Sequence, residues 1–161
     1  MTTIAVTGHM DLAEDSVHLV RDALRETLKP YAGDLTGVSC IAKGSDSLFA
    51  DVVLELGGRL VAVIPSKDYR QAKVKADHAE TFDRLIDAAA EVVVLDHESA
   101  NRSAYEDANR TLLQRAERLV AVWNGEPPSG KGGGTADTVV EARSEGLPVD
   151  VVWPQGAARK S

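Results

Sequence analysis

Cysteine, aromatic residues and long apolar runs are all scarce in this sequence. The 161 residues include a single cysteine, Cys40, so the chain cannot form an internal disulfide or a cysteine-based metal site. Aromatic residues make up only 4%, so alanine, valine and leucine must fill the core. No apolar stretch approaches the roughly 18 residues of a membrane span, and no secretory signal is evident. We therefore expect a cytoplasmic protein with no membrane partner and no metal site.

Basic residues are also in the minority. The chain has 18 lysines and arginines against 25 aspartates and glutamates, which gives a formal net charge of -7. Nucleic acids and anionic membranes attract positively charged surfaces. The charge balance therefore predicts that nucleic acid is not a partner, although a local basic pocket for a small anion is compatible with it.

Short β-branched segments alternate with longer amphipathic segments along the chain. The strands are continuous runs of Val, Ile and Ala, which are typical of parallel strands buried on both faces. This pattern predicts an α/β fold: a Rossmann-like, doubly wound, mostly parallel sheet of about six strands with helices on both faces. We expect one domain over 1–154 and a flexible C-terminal tail over 155–161. The predicted strands are 4–7, 38–41, 60–64, 92–95, 119–123 and 149–153, and the predicted helices are 16–28, 47–56, 76–89, 104–116 and 135–145.

In open parallel sheets, ligands bind outside the carboxyl ends of the strands. The first such loop contains Gly8 and His9. Glycine permits close approach of the backbone to a ligand, and histidine can bind phosphate or transfer a proton. The alternative is a solvated loop histidine. The dinucleotide fingerprint GxGxxG is absent.

The second loop leads directly into a predicted helix and contains Lys43, Gly44, Ser45 and Asp46. Ser45 or Asp46 can cap the helix, whose N-terminus offers free N–H groups to an anion. Lys43 adds positive charge and Gly44 leaves room. The pattern favours a ligand-binding loop, and the alternative is an ordinary capped turn.

The third loop, after the fifth predicted strand, is rich in glycine. It ends in Gly132, Gly133, Gly134 and Thr135 before the last helix. The N–H groups of these glycines, with Thr135 as N-cap, predict a phosphate cradle. A flexible loop is the alternative. The segment also approaches a Walker A motif, but Gly132 stands where the magnesium-binding Ser or Thr would be.

Three further residues are weaker candidates. Asp137 and Glu141 lie on one face of the last predicted helix and provide a carboxylate pair for glycosidic chemistry, or else they are solvated helix surface. Trp123 ends a strand, where it can stack on a base or pack at the rim of the sheet.

Four short motifs, taken in order, resemble the SLOG superfamily of Rossmann-like nucleotide-binding domains. The superfamily includes LOG-type phosphoribohydrolases, molybdenum-cofactor carriers and a domain of DNA-processing proteins, and the segment 105–153 is most similar to the YpsA-like branch. The resemblance implies a phosphate-containing ligand held by the first loop and the Gly-Gly-Thr loop, in a homo-oligomer. The motifs are Thr7-Gly8-His9, Ala42-Lys43-Gly44-Ser45-Asp46, Ala108-Asn109-Arg110 and Gly133-Gly134-Thr135.

Departures from the family pattern bear on catalysis. LOG-type hydrolases carry a catalytic Glu three residues after the Thr of their glycine-rich motif, and Thr138 stands there in this chain. We therefore predict a module that binds a nucleotide or nucleotide-derived ligand, as a sensor or carrier. The alternative is an N-glycosidic-bond hydrolase or transferase that acts on nucleoside monophosphates, with Asp46, Asp137 or Glu141 as catalytic candidates. A third interpretation is a partner-binding protein with an empty cleft.

Overall fold

The computed structural model describes residues 1–130 and 134–161. Its strands are β1 (Thr2–Gly8), β2 (Leu35–Ser39), β3 (Arg59–Ile64), β4 (Glu91–Val94), β5 (Arg118–Val122) and β6 (Val149–Val151). Its helices are α1 (Val17–Leu28), α2 (Ser45–Glu55), α3 (Tyr69–Lys73), α4 (Ala76–Ala88), α5 (Arg102–Arg115) and α6 (Thr135–Ser144). None of the helices in these residues is both long and apolar enough to cross a membrane.

The strands form one parallel sheet in the order β4-β3-β2-β1-β5-β6. The chain first builds outward from β1 through β2 and β3 to β4. It then returns to the other side of β1 and adds β5 and β6. The strand order therefore reverses between β1 and β5, and a crevice forms beyond the carboxyl ends of these two strands.

Alternate residues of the central strand enter cores on opposite faces of the sheet. Ile4 and Val6 pack in a cluster with Phe49 of α2, whereas Ala5 packs in a cluster with Leu112 of α5. The three β1 residues are at most 1% exposed. Burial on both faces explains why the strand is apolar without alternation. The predicted α/β fold, with its parallel sheet covered on both faces, is confirmed.

The edges of several elements differ from the prediction. β2 begins at Leu35 rather than at 38 and includes Gly37, which packs tightly under α2: a Cβ there would lie 2.5 Å from a methyl carbon of Val53. β2 ends at Ser39, and Ile41 has a φ of 58°, which lies outside the extended region. α3 has only five residues and was not predicted.

The C-terminal segment differs from the expected flexible tail. Arg159 forms an antiparallel bridge with Leu12, and its Nε donates a hydrogen bond of 2.8 Å to Asp11 Oδ1. The backbone N–H of Lys160 donates to Asp11 O at 2.7 Å. Backbone pairing needs no apolar side chains, so the polar composition of the segment gave no sign of this contact.

Candidate functional site

A cavity of about 710 Å³ lies at the carboxyl ends of the central strands. Its wall combines the loop after β1, the first turn of α2, part of α3, the inner face of α5, residues 126–129, the first turn of α6 and Arg159. This is the position expected for a ligand in a sheet with this strand order.

The structure brings some of the predicted site residues to this cavity and leaves others outside it. Those that line it are Gly8, His9, Asp46, Gly134, Thr135 and Asp137. Those that lie elsewhere are Lys43, Gly44, Ser45, Trp123 and Glu141. Gly132 and Gly133 lie outside the described residues.

His9 is fixed in the cavity wall as a neutral imidazole. Its Nε2 accepts a hydrogen bond of 3.1 Å from the backbone N–H of Asn124, so the ring proton is on Nδ1. The ring meets Trp153 edge to face at 5.6 Å. Burial and the nearby positive charge of Arg159 lower the pKa of His9. The residue therefore offers hydrogen bonding at neutral pH and no net charge.

Gly44 and Ser45 contact the first loop rather than the cavity. The Ser45 hydroxyl donates a hydrogen bond of 2.7 Å to His9 O, and the Ser45 N–H donates to the same oxygen at 3.2 Å. Gly44 has a φ of 86°, and a Cβ at this position would lie 2.6 Å from Met10 O. These two residues hold the first two loops together, and the Ser45 N–H is engaged by the protein itself.

The side chains of Lys43 and Trp123 are also engaged away from the cavity. Lys43 Nζ forms an ion pair with Asp77 of α4. Trp123 Nε1 donates a hydrogen bond of 2.9 Å to Glu126 O, and the Arg143 guanidinium lies 5.8 Å from the ring centroid. The aromatic rings in the described part of the cavity wall are those of Tyr69 and Tyr105, together with the imidazole of His9.

The N-terminus of α6 faces the cavity, and the Asp137 carboxylate caps it. The Gly134 N–H donates to Asp137 Oδ2 at 3.2 Å, so this donor is already engaged. N–H groups in the first turn, such as those of Thr135 and Ala136, lack acceptors within the helix itself. Thr138 is 1% exposed, and its hydroxyl donates to Gly134 O. The position of the LOG-type catalytic Glu is thus a buried structural threonine.

Three cationic residues of the cavity wall were not among the residues predicted from the sequence. Arg159 reaches the cavity from the C-terminal segment, and Lys73 and Lys75 reach it from the end of α3 and the residues that follow. Within residues 1–130 and 134–161, neither lysine Nζ has an ion-pair partner. The sequence gave no signal for Arg159, since it is 148 residues from Asp11, its partner.

Four polar side chains form an inner cluster in the same wall: Cys40, Asp46, Tyr69 and Tyr105. Burial raises the pKa of Asp46 to about 7. Burial also raises the pKa of the Cys40 thiol and of the Tyr69 phenol, and the negative charge of Asp46 adds to both shifts. The inner cluster is therefore poorly solvated, and Asp46 is the member whose carboxyl changes charge near neutral pH.

Comparison with known proteins found matches in structure alone. No family model and no curated protein matches the sequence. DNA processing protein A (DprA) from Streptococcus pneumoniae matches with a TM-score of 0.67 and 18% identity, over 94% of this chain and 50% of that one. DNA processing protein A from Helicobacter pylori matches with a TM-score of 0.66 and 15% identity, over 93% of this chain and 64% of that one. The chain thus spans less than two thirds of either protein.

A second group of matches consists of molybdenum cofactor carrier and binding proteins. The Moco carrier protein from Chlamydomonas reinhardtii has a TM-score of 0.59 and 20% identity, over 96% of this chain and 78% of that one. At these identities, the comparison establishes a shared fold.

These matches correct one prediction. The exclusion of nucleic acid is wrong, because the H. pylori protein with this fold binds single-stranded DNA. The exclusion depended on the net charge of -7, and the charge of a whole chain does not describe a local surface. DNA processing proteins and molybdenum-cofactor carriers are two of the groups named from the sequence motifs, and the matches confirm the resemblance to the SLOG superfamily at the level of the fold.

Proposed function

We propose that this chain binds a nucleotide or a nucleotide-derived small ligand that contains a phosphate, as a sensor or carrier. The cavity at the carboxyl ends of the sheet carries the proposal. Its volume of about 710 Å³ lies within the usual range for small-ligand sites. Support also comes from the fold, which Moco carrier proteins share.

The phosphate belongs between the N-terminus of α6 and the C-terminal segment. The first turn of α6 contributes N–H groups and the positive end of the helix dipole. Arg159 adds a guanidinium whose Nε is paired with Asp11 and whose Nη groups can donate hydrogen bonds to a phosphate. Gly8 brings the end of β1 directly against α2, since a Cβ there would lie 2.5 Å from Ser45 Cβ.

Calorimetric titration with nucleoside monophosphates, ribose 5-phosphate and the matching nucleosides tests this function. We expect the phosphorylated compounds to bind at least about tenfold more tightly than the nucleosides, because the phosphate supplies charge-assisted hydrogen bonds. Arg159→Ala should remove most of this difference. Lys160→Ala is the matched control, since its side chain does not line the cavity. Equal binding of nucleosides and monophosphates, or no binding of either, contradicts the proposal.

One observation favours the hydrolase as a second candidate. Asp46 and Asp137 line the same cavity, and cleavage of glycosidic bonds commonly uses two carboxyl groups. Incubation with nucleoside monophosphates followed by chromatography for free base tests this candidate. Base release that is lost in Asp46→Asn or Asp137→Asn would support it, and no release across the panel would exclude it.

A further inference from the structure

The inner cluster contains two polar groups that the described part of the chain leaves without a full set of hydrogen bonds. Asp46 is 9% exposed and Tyr69 is 6% exposed. Asp46 Oδ2 accepts a single long hydrogen bond of 3.4 Å from the Ala42 N–H. Within the described residues, Asp46 Oδ1 and the Tyr69 hydroxyl have no hydrogen-bond partner.

These unpaired oxygens reach the cavity. Among the described residues, no buried side-chain oxygen or nitrogen is both sealed from solvent and without a partner. Asp46 and Tyr69 therefore keep a small accessible area, and both residues line the cavity wall. Buried polar groups are normally paired, so a pair left open toward a cavity indicates a ligand that completes it.

The geometry of a carboxylate decides which ligand edge fits. An ionised carboxylate only accepts hydrogen bonds, and its two oxygens suit two parallel N–H donors. Guanine and 2-amino-4-oxopteridines present two adjacent N–H groups on one edge. Adenine and cytosine place an acceptor beside their amino group, and hypoxanthine and uracil have a single N–H between or beside acceptors.

We propose that the inner cluster is the subsite for a flat heterocycle with two adjacent N–H donors on its edge, and that Asp46 pairs with that edge. Tyr69 and Tyr105 provide aromatic surface and hydroxyl groups beside the ring. The proposed heterocycle subsite and the proposed phosphate site lie in the same cavity. This inference therefore rests on the proposed function, and it adds the class of heterocycle that the ligand contains.

The test compares phosphorylated ligands whose heterocycles present different edges, together with ribose 5-phosphate, which has no heterocycle. Wild-type protein, Asp46→Asn and Asp51→Asn are titrated at pH 8 with GMP, IMP, AMP, a 2-amino-4-oxopteridine monophosphate and ribose 5-phosphate. IMP lacks the 2-amino group of GMP. Asp51 is the matched control because it lies on α2, outside the cavity, and is paired with Arg84 at 2.9 Å. Thermal unfolding confirms that each variant is folded.

We expect wild-type protein to bind GMP or the pteridine at least about tenfold more tightly than IMP, AMP or ribose 5-phosphate. Whichever of GMP and the pteridine binds more tightly identifies the heterocycle that the subsite accepts. Asp46→Asn should abolish the preference and leave ribose 5-phosphate binding unchanged, and Asp51→Asn should retain the preference. Binding of ribose 5-phosphate without any preference overturns the subsite and leaves the proposed function standing. No binding of any phosphate overturns both.

Cys40 gives a second measurement that needs no variant. It is the one cysteine of the chain, and it lines the inner end of the cavity. The rate of its alkylation by iodoacetamide should fall at least about fivefold with saturating GMP or pteridine, because the ring covers the thiol. Saturating ribose 5-phosphate should leave the rate unchanged. Equal rates with and without the heterocycle contradict the subsite.

Discussion

At the scale of single residues, Asp46 and His9 make stability depend on pH in opposite directions. Burial raises the pKa of Asp46 to about 7, so the folded chain keeps a proton that the unfolded chain releases near pH 4. The ionisation of Asp46 therefore makes the free energy of unfolding fall as the pH rises from about 4 to 7. Burial and Arg159 lower the pKa of His9, so His9 lowers the same free energy as the pH falls below about 6.5.

Asp46→Asn separates these two effects. The amide cannot ionise, so the variant should gain stability relative to wild type as the pH rises, by about 1–3 kcal/mol more at pH 8 than at pH 5. Urea unfolding at both pH values measures this difference. Asp51→Asn should lose up to about 1 kcal/mol instead, because it gives up an exposed ion pair. A difference between Asp46→Asn and wild type that does not change with pH would contradict the buried, proton-binding carboxyl.

Substitution of Gly44 should lower the free energy of unfolding for two reasons. Its φ of 86° strains any other residue, and a Cβ would collide with Met10 O. Gly57 has a similar φ of 77°, and no atom of residues 1–130 or 134–161 lies within 4 Å of an added Cβ there, so this position isolates the strain. We expect Gly57→Ala to cost about 1 kcal/mol and Gly44→Ala about 2–4 kcal/mol in urea unfolding. Equal costs would show that the two loops are not packed as described.

At the scale of elements, the first turn of α6 is the element on which the proposed phosphate site depends most. Gly134 has φ -85° and ψ 177°, which any residue adopts, and among the described residues its added Cβ would meet Asp137 Oδ2, at 3.5 Å. The backbone therefore tolerates a side chain that nevertheless projects toward the ligand end of the helix.

Gly134→Val should keep stability within about 1 kcal/mol of wild type. It should weaken ribose 5-phosphate binding at least about tenfold, since the branched side chain crowds the space before the helix N-terminus. Calorimetry and thermal unfolding measure the two quantities. Val140→Ala is the control on the same helix, because Val140 is exposed and does not line the cavity. Unchanged affinity in Gly134→Val would remove this turn from the phosphate site.

At the scale of the whole molecule, the sequence predicted the fold, together with part of the lining of the candidate cavity. Continuous apolar strands are a local signal, so the parallel sheet and the loops at its carboxyl ends could be recognised. The role of Ser45 could not, because its hydrogen bonds to His9 O join loops 36 residues apart. Arg159 was missed for the same reason: its place beside the first loop depends on tertiary backbone pairing.

The most direct test of the central claim is amide NMR during titration with ribose 5-phosphate. The account predicts saturable shifts in the N–H signals of Gly8, Thr135 and Arg159, which lie in three different segments and line one cavity. It predicts small changes at the separate groove of about 260 Å³ that His97 and Asp107 line. Saturable shifts confined to that groove, or no saturable shifts at all, would contradict the claim that these segments form a phosphate site.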